Sequence, residues 1–141
     1  MEKLQEKYGD KVRVVFRDYP LVSHRTAPRA AEAAHCADEQ AMFWEMHDRL
    51  FSKTGPVAEA DIRKYASDIG LDLPKFSACL DSGKHTQTWK DAQADGAKAG
   101  VGSTPTFFVN GRMVVGAAPS EAFAAVIDEE LERAAAGGGT R

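Results

Sequence analysis

The chain has 141 residues, of which 43% are hydrophobic and 28% are charged, and its formal net charge is −3. This length suits one domain that is large enough to bury a core. A negative net charge disfavours a nucleic-acid partner, because phosphate binding usually needs a basic surface. No apolar run approaches the roughly 20 residues that a membrane-spanning helix needs. We therefore expect no nucleic-acid partner and no membrane span.

The N-terminal residues predict a short helix followed by a strand. Leu4 and Tyr8 lie four positions apart, and the charged residues around them lack the apolar stretch of a signal peptide. Gly9 and Asp10 predict a turn. Residues 12–16 contain three valines and a phenylalanine, a β-branched run that is typical of a buried strand.

A long helical block follows. Apolar residues keep a helical spacing from Thr26, which is a candidate N-cap, to about residue 51. Three shorter helices are predicted over 59–69, 73–81 and 85–99. In these, Asp72 is placed to cap a helix start, and glycines at 70, 83 and 100 mark the helix ends.

The spacing of apolar residues then changes from the helical period to a period of two. Residues 106–109 and 112–115 predict two strands, and the Asn-Gly pair between them is a strong hairpin signal. Pro119 opens a last amphipathic helix that we follow to Leu131, before a glycine-rich tail. We expect the strand at 12–16 and the hairpin to share one sheet, because neither can bury its apolar faces alone.

The segment 102–111, Gly-Ser-Thr-Pro-Thr-Phe-Phe-Val-Asn-Gly, resembles the cis-proline loop and hairpin of DsbA-like proteins, a thiol–disulfide oxidoreductase branch of the thioredoxin superfamily. Four more segments resemble that branch in the same order: 12–21, 43–51, 76–83 and 119–123. The resemblance implies an α/β, thioredoxin-like fold with an inserted α-helical block at about 26–83. It also implies a single domain over 1–135 and a flexible tail at 136–141.

The chain departs from this family at its start. The family opens with a strand and a C-x-x-C motif at the beginning of the active-site helix, whereas residues 1–8 resemble only the tail of that helix. We therefore expect an N-terminally truncated chain that has no catalytic residue and no dithiol activity of its own. The strands at 12–16 and 106–109 would then lack the strand between them. They could pair directly, be covered by a second copy in a homodimer, or belong to a fragment.

Cys36 and Cys79 are the two cysteines, and they do not stand in C-x-x-C spacing. With only four scattered histidines, the spacing predicts no zinc-type cluster, and we expect no metal. The resemblance implies that Cys36 and Cys79 form a structural disulfide between inserted helices, since some DsbA-like relatives carry a second, non-catalytic pair. The alternatives are that both cysteines are small buried hydrophobic side chains, or that they have a catalytic role.

Thr104 and Pro105 form the expected substrate-binding loop. The resemblance implies that the bond between them is cis and that the backbone of Thr104 pairs with an extended peptide. Expected partners are thus extended peptides or protein thiols, without a cofactor. Alternatives are a non-catalytic peptide-binding or assembly module, and a glutathione-dependent relative. The family is typically periplasmic or extracytoplasmic, but this chain shows no signal peptide and its localisation stays undecided.

Three further groups of side chains are assigned structural roles. We expect His35 at the surface, because adjacent helix residues point about 100° apart and His35 therefore does not face Cys36. Aromatic residues of the helical block are expected in its core: Phe43, Trp44 and Phe51. Acidic residues of the same block are expected on a solvated helix face: Glu32, Glu39, Glu45 and Asp48.

Overall fold

A computed structural model describes residues 2–21, 23–52 and 54–137. The elements in chain order are α1 (Glu2–Tyr8), a 3-10 turn (Gly9–Lys11), α2 (Ala27–Asp38), α3 (Phe43–Ser52), α4 (Glu59–Asp68), α5 (Leu73–Ser82), α6 (Thr86–Lys98), β1 (Thr106–Val109), β2 (Arg112–Val115) and α7 (Ser120–Gly137). The chain divides into two compact units. The terminal unit joins residues up to Phe16 with those from Val101 onward, and the helical unit comprises 17–100.

The hairpin of the terminal unit forms as predicted. β1 and β2 pair antiparallel, with Val109 opposite Arg112 and Thr106 opposite Val115. Asn110 and Gly111 have φ angles of 47° and 90°. This left-handed backbone at both turn residues twists in the same sense as the flanking strands, which explains the preference for Asn-Gly.

One face of this hairpin contributes to the core of the terminal unit. Phe107 packs edge-on against Phe123 of α7, with ring centroids 4.7 Å apart. Leu4 and Tyr8 of α1 are buried in the same cluster, which places the apolar faces of both helices against the hairpin. The Tyr8 hydroxyl donates to Oδ1 of Asp128 at 2.8 Å and so satisfies its polar end.

The predicted strand at 12–16 is not present. These residues lie outside any helix or strand, and the sheet of the described residues contains only β1 and β2. Val12 contacts the core of the terminal unit, whereas Val15 is 62% exposed. The backbone of Val12 is extended, with φ of −130° and ψ of 127°, but a strand also needs a neighbouring strand with which to exchange hydrogen bonds.

The helical unit begins with two helices where one stretch is predicted. α2 ends at Asp38, and α3 starts at Phe43. Ala41 has a φ of 58°, and the N–H of Met42 donates to the carbonyl of Ala37 at 3.0 Å. This is the hydrogen-bond pattern of a Schellman C-cap. The usual glycine is missing from the left-handed position, so the sequence does not reveal the break.

The end of α4 and both ends of α5 follow the predicted signals. The Asp72 carboxylate accepts a hydrogen bond from the Lys75 N–H at 3.1 Å and caps α5, and Gly70 and Gly83 adopt positive φ angles. Thr26 precedes α2 but makes no side-chain capping bond. The buried core gathers residues from α2, α3, α4, α5 and the turn between α4 and α5: Ala33, Ala34, Cys36, Ala37, Met46, Ile62, Ala66, Leu71, Phe76, Cys79 and Leu80.

The last helix is longer than predicted. α7 continues through Gly137, six residues beyond Leu131, because Ala134, Ala135 and Ala136 are strong helix formers. The start of the expected tail at 136 is therefore helical, and residues 138–141 lie outside the described residues. None of the described helices combines the length and the apolar character needed to cross a bilayer.

Candidate functional site

The loop that leads into β1 carries the first candidate site. The peptide bond between Thr104 and Pro105 is cis, and both residues are exposed. The loop is fixed by two hydrogen bonds: Thr106 Oγ1 donates to the Ser103 carbonyl at 2.7 Å, and the Gly116 N–H donates to the Pro105 carbonyl at 2.8 Å. Thr104 and Pro105 are therefore exposed in a loop that is braced against the hairpin.

A shallow, mostly apolar depression lies beside Pro105 within the terminal unit. Its lining comes from α1, the loop, β1, the segment between β2 and α7, and the start of α7: Lys3, Leu4, Pro105, Phe107, Ala117, Ala118, Ser120 and Phe123. Such a surface suits an apolar side chain of a bound peptide. The lining also includes a cationic group, on Lys3, and a hydroxyl group, on Ser120.

The free edge of β1 adjoins this loop. A two-residue turn makes Val109 and Arg112 a hydrogen-bonded pair, and such pairs alternate along an antiparallel ladder. The backbone N–H and C=O groups of Thr106 and Phe108 therefore point away from β2. Within the described part of the chain no third strand covers this edge. An extended peptide could add there as a further strand.

Cys36 and Cys79 form a disulfide that joins α2 to α5 within the helical unit. Only 1% of the Cys36 surface and 6% of the Cys79 surface is exposed. Disulfide exchange proceeds by attack of an accessible thiolate on a sulfur atom. This buried bond therefore joins helices and is shielded from the thiols of a protein substrate.

His35 is not a surface histidine, contrary to the sequence-based expectation. Its Nε2 lies 2.7 Å from Oδ2 of Asp18, and only 20% of its side chain is exposed. The hydrogen bond to Asp18 raises the pKa of His35, and burial opposes that rise. Asp18 is itself 7% exposed and lies far enough away in sequence that helical spacing could not identify it as the partner.

Glu32 does not lie on a solvated acidic face. The other three acidic residues of that group, Glu39, Glu45 and Asp48, are exposed. Glu32 is 8% exposed, and its Oε1 accepts a hydrogen bond from Thr86 Oγ1 at 2.6 Å. Burial acts to raise the pKa of Glu32, but the hydrogen bonds from Thr86 and Trp89 and the ion pair with Arg29 outweigh it and lower that pKa.

The aromatic residues of α3 differ from the core prediction. Phe43 is partly buried against the helical core, but Trp44 is 45% exposed and Phe51 is 68% exposed. Met46 is the fully buried residue of α3. The break before Phe43 restarts the helix and gives α3 its own buried face, independent of the phase of α2.

Tertiary structure also brings a histidine to the disulfide. A ring nitrogen of His85 and the sulfur atoms of Cys36 and Cys79 all lie within 4.8 Å of one another. Linear spacing misses this grouping, because the three residues come from α2, α5 and the residue before α6. Glu39 adjoins the group, with its Oε1 at 2.7 Å from His85 Nε2.

The fold agrees with comparisons to known proteins. A family model described as thioredoxin matches residues 1–129. A thiol–disulfide exchange protein, alpha-DsbA2 from Wolbachia pipientis, superimposes with a TM-score of 0.73 at 23% identity, over 82% of this chain and 63% of that protein. A thioredoxin-like oxidoreductase from Silicibacter pomeroyi gives a TM-score of 0.75 at 24% identity, over 84% and 68%.

Curated relatives of this chain are named as Na(+)/H(+) antiporters. The Na(+)/H(+) antiporter NhaA 1 of Salinispora arenicola is 41% identical over 118 residues, which are 82% of this chain and 18% of that protein. This chain spans about a fifth of the length of the curated relatives that it matches. The fold is thioredoxin-like and DsbA-like, with mostly helices and a two-stranded sheet. With the family model covering residues 1–129, the chain belongs to the thioredoxin family.

Proposed function

We propose that this chain is the peptide-binding part of a DsbA-type thiol–disulfide exchange module and lacks dithiol activity of its own. The observation that carries this proposal is the exposed Thr104–Pro105 loop beside the free edge of β1. An extended peptide placed there would pair with the Thr104 backbone and put an apolar side chain into the depression lined by Phe107 and Phe123.

The cysteines support the second half of the proposal. Dithiol catalysis needs a low-pKa thiol at an accessible, electropositive position such as a helix N-terminus. Cys36 lies in the C-terminal half of α2 and Cys79 lies in the C-terminal half of α5, and they are bonded to each other and buried. Neither sulfur therefore offers the accessible thiolate from which exchange starts.

Reduction of insulin by dithiothreitol, followed by turbidity, tests this half. We expect the chain to leave the rate at the value of the protein-free reaction. A rate above that value which disappears in the Cys79→Ser variant would show that the buried disulfide is catalytic and would overturn the claim.

Peptide binding tests the first half. The probe is a fluorescent, extended peptide whose single cysteine is alkylated, titrated by anisotropy. We expect Pro105→Ala to weaken binding by about threefold to tenfold, which corresponds to the loss of one or two hydrogen bonds. Glu132→Ala, at an exposed residue of the same unit that does not line the depression, is the control and should leave the affinity unchanged. Equal affinity of both variants and the original chain would contradict the proposed site.

A homodimer that covers the β1 edge stays a prediction, and light scattering after size exclusion tests it. A mass of twice 15.3 kDa would show that the chain forms a dimer, and a mass of 15.3 kDa would contradict this prediction. A glutathione-dependent activity also stays a prediction, which a glutathione titration checks. The relative named as an antiporter is a far longer protein, and we propose no cation transport for this chain.

A further inference from the structure

We propose that Cys36, Cys79 and His85 bind Zn²⁺ when the disulfide is reduced. The two sulfur atoms and a ring nitrogen of His85 already lie within 4.8 Å of one another. This inference does not depend on the proposed peptide-binding function, because all three residues belong to the helical unit.

The chemistry of the three donors matches zinc. Zn²⁺ prefers thiolate and imidazole ligands in a tetrahedral arrangement, with Zn–S about 2.3 Å and Zn–N about 2.0 Å. Those lengths require ligand atoms about 3.5–3.8 Å apart. Breaking the disulfide lets the sulfurs of Cys36 and Cys79 separate to that distance. The nitrogen of His85 lies within 4.8 Å of them and must approach by at most about 1.3 Å.

The surroundings favour a three-ligand site with one open position. Cys36 and Cys79 are buried, which excludes most water from the sulfur side. The side chain of His85 is 21% exposed, so the site reaches solvent on the histidine side. A water molecule entering from that side would complete a four-coordinate metal, as in zinc sites that have three protein ligands.

A second layer of residues orients the histidine. Oε1 of Glu39 lies 2.7 Å from Nε2 of His85, and Nζ of Lys84 lies 2.6 Å from the same carboxylate oxygen. Metal-binding histidines usually donate their other ring N–H to a carboxylate, which fixes the tautomer. A hydrogen bond from Nε2–H to Glu39 leaves the lone pair of Nδ1 as the one that a metal can bind. The ring of His35 stacks on that of His85 at 5.5 Å and limits its rotation.

Metal binding requires prior reduction of the disulfide. A dithiol reductant passes two electrons and two protons to the Cys36–Cys79 bond, becomes a cyclic disulfide and leaves two protein thiols. Zn²⁺ then displaces the two thiol protons to solvent and forms two Zn–S bonds. The oxidised protein has no thiolate to offer and should not bind the metal at this site.

Cobalt is the spectroscopic probe for this test. The chain is reduced with dithiothreitol, desalted under anaerobic conditions and titrated with Co²⁺. We expect one equivalent to bind, with sulfur-to-cobalt charge-transfer bands and the visible bands of a tetrahedral site, and we expect Zn²⁺ to bleach both. The oxidised chain should give none of these bands.

Variants separate this site from adventitious binding. His85→Ala should weaken Co²⁺ binding at least about tenfold, and Glu39→Gln should weaken it by about tenfold through the lost support of His85. His24→Ala, at an exposed histidine of the same unit, is the matched control and should bind as the original chain does. Equal affinity of His85→Ala and His24→Ala would overturn the assignment of His85.

Thermal unfolding keeps the test decisive if reduction weakens the fold. Zn²⁺ should raise the Tm of the reduced chain and leave the Tm of the oxidised chain and of reduced His85→Ala unchanged. A reduced chain that neither binds Co²⁺ nor gains thermal stability from Zn²⁺ would refute the proposal.

Discussion

The imidazole of His35 in α2 is bonded to the Asp18 carboxylate, with Nε2 and Oδ2 separated by 2.7 Å. Both side chains are largely withdrawn from solvent, at 20% and 8% exposed. The pair ties the extended segment before α2 to that helix. The bond also raises the pKa of His35, which makes the stability of the helical unit dependent on pH.

The His35→Asn variant tests that pH dependence. Because the pKa of His35 is raised in the folded state, its stabilising contribution is complete below the unfolded pKa of about 6.5 and is lost as the pH rises through the folded pKa. Urea unfolding should therefore show a larger loss of stability for His35→Asn at about pH 5.5 than at about pH 8.5. His24→Asn is the exposed control, and equal losses for His35→Asn at both pH values would contradict the assignment.

Replacing the Cys36–Cys79 pair tests the disulfide as a structural bond. The two cysteines are 43 positions apart. Closing a loop of that length stabilises the fold by about 4 kcal/mol on the chain-entropy model. We expect Cys36→Ala with Cys79→Ala to lower the free energy of unfolding by up to that amount. A double variant as stable as the original chain, measured by urea unfolding, would mean that the cysteines act only as buried hydrophobic residues.

Arg29→Ala should destabilise the helical unit by about 1–3 kcal/mol, because a buried carboxylate loses a charged partner. Arg29 joins three acidic side chains and a carbonyl from α2, α4 and α5: Glu32, Glu59, Asp81 and the Leu80 oxygen. Arg17→Ala is the control, since the Arg17–Asp95 pair is exposed and should change stability by less than about 1 kcal/mol. Equal changes for both variants would contradict this account.

Gly111→Ala should destabilise the hairpin by about 1–2 kcal/mol, because a side chain disfavours its φ of 90°. No neighbouring atom would contact a Cβ added at Gly111. The loss of stability therefore measures backbone strain without a steric clash. Gly102→Ala is the matched control, because a Cβ there also contacts no atom and Gly102 has no positive φ. We expect it to change the free energy of unfolding by no more than about 0.5 kcal/mol. Thermal unfolding compares the two variants, and equal Tm values would argue against the turn geometry.

The sequence alone predicts the hairpin and most helix ends, because those features depend on local backbone preferences. Asn110 and Gly111 tolerate the left-handed conformation of the turn, and Asp72 caps α5 with an oxygen three residues from its donor. It also carries the resemblance that placed Thr104 and Pro105 in a loop before β1.

Only the tertiary structure decided the features that depend on a distant partner. Residues 12–16 have strand-forming side chains but do not form a strand, because pairing needs a second backbone in register. Ala41 ends a helix in a conformation that its side chain disfavours, and Glu32 is buried since Arg29, Thr86 and Trp89 satisfy it. His85 reaches the disulfide for the same reason: packing of α2 against α5 and against α6 fixes distances that residue spacing does not encode.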